Sequence, residues 1–369
     1  MGLSRYKLGE LIEQRREKNC NIEDLIIRGV SREGFIKPKQ IDADTSIYNV
    51  FYKKDFVFNP ARMELNSIAL NLNFEKAICS SLYEVFYVTR TDMLLPEYLN
   101  LIIKRDEFAR RCWFEAIGSA RNYFRVVNLS EFYIDLPPLA IQQKYVNVYN
   151  AMVANQKAYE RGLEDLKLTC DAYIEDLRRR IPCEAIGPYI ERHDVRNGPN
   201  GTKNVMGVST TKEFREPTSK VNRNDLANYK VVKPRQISFV QTTHNEKVFC
   251  NALNTTDEDI VVTSVNEVFS TNENKLLPEY LVMFFNRTEF DRYARYHSWG
   301  SARETFTWDD LVKVQIPIAD MEVQRSIVDI YTVYKKRKAI NEKLKARIKA
   351  ICPILIKGSI EEGSNTKEA

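Results

Sequence analysis

Leu94-Leu95-Pro96-Glu97-Tyr98-Leu99 returns letter for letter as Leu276-Leu277-Pro278-Glu279-Tyr280-Leu281, 182 positions further on. Arg105-x-Glu107-Phe108-x-Arg110 returns as Arg287-x-Glu289-Phe290-x-Arg292, and Gly118-Ser119-Ala120-Arg121 as Gly300-Ser301-Ala302-Arg303. Solenoid repeats have periods of roughly 20–50 residues. A period this long is instead a whole domain, together with the helix that follows it, written twice.

Working outward from these anchors, fainter pairs appear. Leu8-Gly9-x-x-Ile12-Glu13 matches Ile186-Gly187-x-x-Ile190-Glu191, and Gly29-Val30-Ser31 matches Gly207-Val208-Ser209. Tyr48-x-Val50 matches Tyr229-x-Val231, and Ser81-x-x-Glu84-Val85-Phe86 matches Ser264-x-x-Glu267-Val268-Phe269. The offset drifts between 178 and 183. Such drift means short loop insertions within one scaffold, and loops are where recognition variety is built.

Short β-branched and aromatic runs read as strands: Phe56–Phe58, Leu82–Val88, Tyr229–Val232, Ile237–Val240 and Ile260–Val265. LPEYLNLIIKRDEFARR and LPEYLVMFFNRTEFDRYAR each read as one amphipathic helix with proline in its first turn. Each copy is therefore a mixed α/β (α+β) domain with many strands and few helices.

Between and after the domains lie long helices. Tyr145, Tyr149, Met152, Gln156, Tyr159, Leu163, Leu166, Cys170, Tyr173 and Leu177 alternate at spacings of four and three, an a/d heptad seam. Ile327, Ile330, Tyr334, Arg337, Asn341, Leu344, Ile348, Ile351 and Leu355 keep the alternation with two polar members, and Pro353 is expected to kink or end this helix. Helices of this length are rods of roughly 55–60 Å. Each rod could pack on its own domain. A narrow a/d stripe better suits a single helical partner, so the reading is an antiparallel coiled coil. The expected order is a domain at 1–138, a helix at 139–181, a domain at 182–318, a helix at 319–356 and a disordered tail at 357–369, with pseudo-twofold symmetry.

The 369 residues suffice for two cores, and 44% hydrophobic with 28% charged residues fits a globular protein. The net charge of +5 is modest but uneven, since residues 191–235 hold ten Lys/Arg against five Asp/Glu. The seven cysteines are scattered without a C-x-x-C, and the three histidines lack ligand spacing. No metal site is read, and a reducing cytoplasm is expected. No run approaches the ~18 apolar residues of a membrane span, and none marks a signal peptide.

Gly-Ser-Ala-Arg, then about fifteen residues, then Leu136-Pro137-Pro138-Leu139-Ala140-Ile141-Gln142-Gln143 and a long helix, resembles the specificity subunit of type I restriction–modification enzymes. Glu322-Val323-Gln324 stands at the same junction in the second copy, and Lys7–Ile12 and the Glu-Val-Phe strand also resemble that family. The resemblance runs twice over nearly the whole chain. It implies two target-recognition domains, each reading half of a split double-stranded DNA site. It implies paired helices that set the spacing and dock methyltransferase subunits, expected to be two, with restriction/translocase subunits in the full complex. S-adenosylmethionine would belong to the methyltransferase, and this chain would bind no cofactor.

Lys and Arg suit phosphates, while Arg, Asn and Gln suit base edges. The candidate DNA-binding pool in the first copy is Arg15, Arg16, Arg32, Lys37, Lys39 and Arg62. In the second it is Arg192, Arg196, Lys203, Lys212, Arg215, Lys220, Arg223 and Arg235. Arg121 and Arg303 complete it. Because both copies keep Gly-Ser-Ala-Arg although they would read different bases, that turn is expected to position phosphate or brace the domain. No catalytic residue is read: Asp135-Leu136-Pro137-Pro138 lacks the aromatic of an amino-methyltransferase loop, and no glycine-rich cofactor loop or nuclease cluster occurs. A scaffold with duplicated protein-binding domains, or the recognition half of a methyltransferase, are the alternatives.

Overall fold

The computed structural model describes residues 3–38, 40–41, 44–116, 123–199, 201–218, 220–242, 248–299 and 304–365. In chain order the first set of elements is β1 (Ser4–Lys7), β2 (Ile12–Arg15), β3 (Gly29–Ser31), β4 (Gly34–Ile36), β5 (Asn49–Tyr52), β6 (Phe56–Phe58), β7 (Ile68–Leu70), β8 (Lys76–Cys79) and β9 (Glu84–Val88). Helices α1 (Pro96–Ile103), α2 (Asp106–Glu115) and α3 (Val126–Ser130) follow, then β10 (Tyr133–Leu136) and the long α4 (Leu139–Arg180). The second set is β11 (Cys183–Ala185), β12 (Ile190–His193), β13 (Gly207–Val208), β14 (Phe214–Arg215), β15 (Lys230–Val232), β16 (Ile237–Val240), β17 (Asn251–Leu253), β18 (Ile260–Val262) and β19 (Asn266–Thr271). It continues with α5 (Pro278–Phe285), α6 (Thr288–Tyr296), α7 (Trp308–Leu311), β20 (Gln315–Pro317) and the long α8 (Met321–Asn365).

The chain divides into two compact units. One is Met1–Ala158 with Asn341–Ala369, and the other is Tyr159–Ile340. Each long helix gives one half to each unit. In the first unit the main sheet has the order β2-β9-β6-β7, with pairs β5-β8, β3-β4 and β1-β10. In the second it is β12-β19-β16-β17, with β15-β18, β13-β14 and β11-β20. Matched strand for strand, the two lists are the same, and every pair is antiparallel.

The main sheet of the first unit is covered on both faces. Alternate side chains point to opposite sides of a strand. Phe56, Phe58 and Phe86 join the core with α1 and α2, while Val57 and Val85 join a second core with Phe51, Ala77 and Cys79. Hence Phe56-Val57-Phe58 is apolar throughout, as a strand buried on both faces must be. Burial also pushes the Cys79 and Cys112 thiols up, which makes them packing groups rather than nucleophiles.

Each LPEYL segment forms two helices rather than one. α1 stops at Ile103 and α2 begins at Asp106, with Arg105 extended at φ −74°, ψ 141°, and Arg287 does the same between α5 and α6 at φ −78°, ψ 146°. The break turns the second helix so that Phe108 and Phe290 both return to their cores.

Two buried amides in each unit hold the repeat together. Gln142 Nε2 donates to Met93 O at 2.8 Å and Pro137 O at 2.9 Å, and its Oε1 accepts from Leu95 N at 3.0 Å. Gln324 repeats this with Lys275 O at 2.8 Å, Ala319 O at 2.7 Å and Leu277 N at 2.9 Å. Each glutamine thus fastens the start of a long helix to the loop before LPEYL. Asn71 closes the turn after β7 through Tyr52 O and Phe74 O, and Asn254 closes the turn after β17 through Val232 O and Glu258 O.

Within each unit the long helices run antiparallel. In the first, Gln156 Nε2 donates to Asn341 Oδ1 at 3.1 Å between two buried side chains, and Tyr145 OH donates to Glu362 at 3.1 Å. In the second, Ile174 and Leu177 of α4 share a core with Ile327 of α8 and its neighbour Tyr331. Both packing modes foreseen from the sequence occur. Met152, Tyr159 and Leu166 are half-buried and Leu163 buried along the middle of α4, whereas the helix ends enter the domain cores. This changes the seam. Val146 joins the first core while Tyr145 stays against the partner helix, and Ile174 is fully buried where Tyr173, assigned to the seam, is 37% exposed. A straight helix drifts about 20° per heptad from a 3.5-residue repeat, and a broad core accepts the drifted face. On α8, Ile330, Tyr334, Leu344 and Ile348 are half-buried, and Cys352 is buried in place of Ile351.

The expected end of α8 is corrected. Pro353 lies inside the helix on an exposed position, and the helix runs on to Asn365 through the segment expected to be disordered. That segment has a surface to pack on. Ser359 Oγ meets Tyr98 OH at 2.7 Å, Lys144 reaches Glu362 at 2.8 Å, and Gly363 is so close that a β-carbon on it would lie 2.8 Å from Pro137 Cβ.

Candidate nucleic-acid interface

Each unit carries a two-stranded hairpin outside its main sheet, β3–β4 and β13–β14. Apolar side chains hold its inner side. Phe35 stacks on Phe51 with ring centroids 5.3 Å apart, and Phe214 packs with Val232, Ile260 and Val262. The turns need positive φ, supplied by Gly34 at +115° and by Lys212 at +61°. A cation then ties each hairpin to the second short helix of its unit, Arg32 to Asp106 at 2.9 Å and Lys212 to Asp291 at 2.7 Å.

Lys212 is therefore a correction to the DNA-binding pool. Its side chain is 8% exposed, and Nζ donates to Phe285 O and Asp291 Oδ1. Burial lowers its pKa, and the ion pair with Asp291 opposes that. Arg235 is half-exposed but held by two carboxylates. Its Nε donates to Glu273, and Nη1 and Nη2 donate to Glu279 at 2.8 and 3.1 Å, which hold the guanidinium above its ordinary pKa. Lys54 stands at the same turn of the first unit, with φ +70° against +66° for Arg235, and faces Glu97 at 3.5 Å. Both residues brace the turn against the LPEYL helix.

The other candidates separate by how their charge is held. Arg15 binds Asp55 side-on at 2.6 and 3.1 Å between the rings of Tyr52 and Tyr87, 4.9 and 4.4 Å from their centroids. Arg192 binds the buried Glu267 side-on at 2.8 and 2.7 Å, which raises its pKa. Arg196 donates to Asn228 O and pairs with Asp194, and Arg223 lies 3.8 Å from Glu216. Arg16 is exposed and donates to Gln14 Oε1. Lys37, Arg62, Lys203, Arg215 and Lys220 are exposed and make no ion pair with another described residue. Arg215 is on the second hairpin, Lys203 and Lys220 flank it in the chain, and Lys37 directly follows β4. Of these five candidates, four therefore lie on the hairpins or in the chain segments beside them. Lys39, Arg121 and Arg303 lie outside the described residues, as do both Gly-Ser-Ala-Arg turns.

Gln142, Gln324 and Glu267 stand in the sequence motifs without a role assigned to their side chains, and Asn71 and Asn254 are not among the motifs. The repeat itself carried the signal, since these polar residues recur at the same offset as the apolar anchors. Among the described residues no group of three or more His, Cys, Asp or Glu is placed to hold a metal ion, and no helix is long and apolar enough to cross a membrane.

This fold, two topologically matched sheets each followed by a long helix, has counterparts among solved structures. The S subunit of the type I restriction–modification system from M. genitalium is 10% identical, with a TM-score of 0.60 over 97% of this chain and 96% of that one. A chain solved to explain complex assembly and conformational transition of the type I R-M system is 15% identical, with a TM-score of 0.50 over 97% and 98%. The HsdS subunit from Thermoanaerobacter tengcongensis is 16% identical over 97% and 96%, with a TM-score of 0.43. No protein-family model matches the chain, and no curated protein matches it. The chain has the fold of type I restriction–modification S subunits.

Proposed function

We propose that this chain is the DNA sequence-specificity subunit of a type I restriction–modification complex. It binds a bipartite double-stranded site through its two α/β units and does no chemistry itself. The methyltransferase subunits, two of them, dock on it and use S-adenosylmethionine, and restriction subunits complete the assembly in the cytoplasm. The observation that carries this reading is one strand topology repeated in both units of a chain that shares the S-subunit fold over 97% of its length. The exposed cations Lys37, Lys203, Arg215 and Lys220, on the second hairpin or in the chain segments beside the hairpins, support a polyanionic ligand. The helices, 42 and 45 residues, are about 63 and 68 Å long and exceed the ~34 Å turn of B-DNA.

The test is methylation mapping of a host genome with the chain and its methyltransferase present, and with the chain deleted. A split motif that loses methylation on deletion is the expected result. Unchanged methylation, together with no salt-dependent duplex binding by the complex, would favour a protein-binding scaffold.

A further inference from the structure

Arginine has five N–H donors. The side-on bond of Arg192 to Glu267 occupies Nε and one Nη2 hydrogen. Two parallel donors remain at the end of the guanidinium, on Nη1 and Nη2. The same end is taken up in Arg235 by Glu279, and Arg196 uses both Nη atoms on Asn228 O and Asp194. The Arg192 side chain is 48% exposed, whereas that of Glu267 is 4% exposed and also accepts from Gln241 Nε2. The Trp308 ring lies 5.8 Å from the guanidinium. The fork is therefore fixed in orientation and partly open to a ligand.

The repeat adds an independent observation. Arg192 pairs with Phe269 across the sheet, and Gln14 pairs with Phe86 at the matching place in the first unit. Glu267 opposite Phe239 likewise matches Glu84 opposite Phe58. The carboxylate is kept in both units, held by Arg192 and Gln241 in the second and by Val126 N–H in the first, while the residue at the register place of Arg192 changes to Gln14, as a reading position must when two half-sites differ. Arginine and glutamine are the side chains that grip guanine and adenine by two hydrogen bonds each.

We propose that Arg192 is a base-reading residue that recognises the O6/N7 edge of a guanine in the half-site bound by the second unit. This assignment rests on the DNA reading above. A phosphate is the other acceptor that fits a guanidinium fork. Glu267 is shared between Arg192 and the buried Lys230, 3.6 Å away, so charge alone does not choose between the two acceptors. The side-on bond fixes the guanidinium and leaves its end-on pair of donors for the planar two-acceptor edge of guanine, and the salt slope of Arg192→Gln separates the phosphate.

The experiment uses the full chain with its methyltransferase and reads genome methylation and duplex affinity for Arg192→Gln and Arg192→Lys, with melting temperature checked for each. Arg192→Gln is expected to move the preference at one position of one half-site from guanine towards adenine, with a ten- to hundredfold loss on the original site, on the order of one bidentate contact. The other half-site keeps its sequence. Arg192→Lys keeps a cation but not the fork, and is expected to lose discrimination at that position with the salt dependence unchanged. If both variants fold and keep the full target, the assignment is overturned. A salt slope lowered by about 0.9 in Arg192→Gln, with every base preference intact, would make Arg192 a phosphate contact. If the unaltered chain directs no methylation and binds no duplex, the DNA reading itself fails and the assignment with it.

Discussion

Replacing Gln142 by Ala removes three hydrogen bonds from a fully buried side chain: two donated to Met93 O and Pro137 O, one accepted from Leu95 N. A typical net contribution is about 1 kcal/mol per bond, and a buried group left unsatisfied costs about 1–3 kcal/mol. Leu95 N–H and two carbonyls lose this partner at once. The expected loss is therefore about 3 kcal/mol or more, which corresponds to a fall of roughly 6–12 °C in melting temperature for a unit of this size. Gln143, the next residue, is the control. It is exposed and bonds only Asn147 on its own helix, so Gln143→Ala is expected to stay within about 0.5 kcal/mol. Urea unfolding followed by circular dichroism measures both. Gln142→Glu, which keeps the shape but turns a donor into an acceptor facing two carbonyls, is expected to be at least as costly as the alanine. A loss below about 1 kcal/mol in Gln142→Ala would refute the view that this amide anchors the helix to the LPEYL loop.

Gln156→Leu alone is expected to cost about 1–3 kcal/mol because Asn341 loses its buried partner, while the double change with Asn341→Leu costs less than the sum of the two single changes, as a double-mutant cycle would reveal. Lys212→Met is expected to cost about 3 kcal/mol through the unpaired Asp291 and to leave the salt dependence of DNA binding unchanged. Neutralising Lys203, Arg215 or Lys220 should instead keep the melting temperature and lower the slope of log K against log salt by about 0.9 each, if each meets a phosphate. Arg287 donates to Glu175 and holds its carboxyl below its ordinary value of 4.5. A folded-state value below the unfolded one favours folding above about pH 4.5 and loses that contribution as pH falls through the folded value. Glu175→Gln is expected to flatten this part of the stability profile, and an unchanged profile would remove Glu175 from the account.

The repeated letters were enough for the duplication, the mixed α/β class and the two long helices, because periodicity and local propensity are properties of neighbouring residues. They were also enough to place LPEYL at a helix start, where proline costs nothing. Everything that depended on a distant surface needed the tertiary structure. The break at Arg105 and Arg287, the exchange of Tyr173 for Ile174, and the helical course of residues 357–365 all follow from which core a face meets. The charges divide for the same reason. Lys212, Arg235, Arg192 and Arg215 look alike as letters in one basic segment. Only the fold brings Asp291 to the first, Glu273 and Glu279 to the second and Glu267 to the third, and leaves the fourth without a described ion-pair partner. A cation's role is set by the carboxylates within about 4 Å of it, and that distance is not written in the order of the residues.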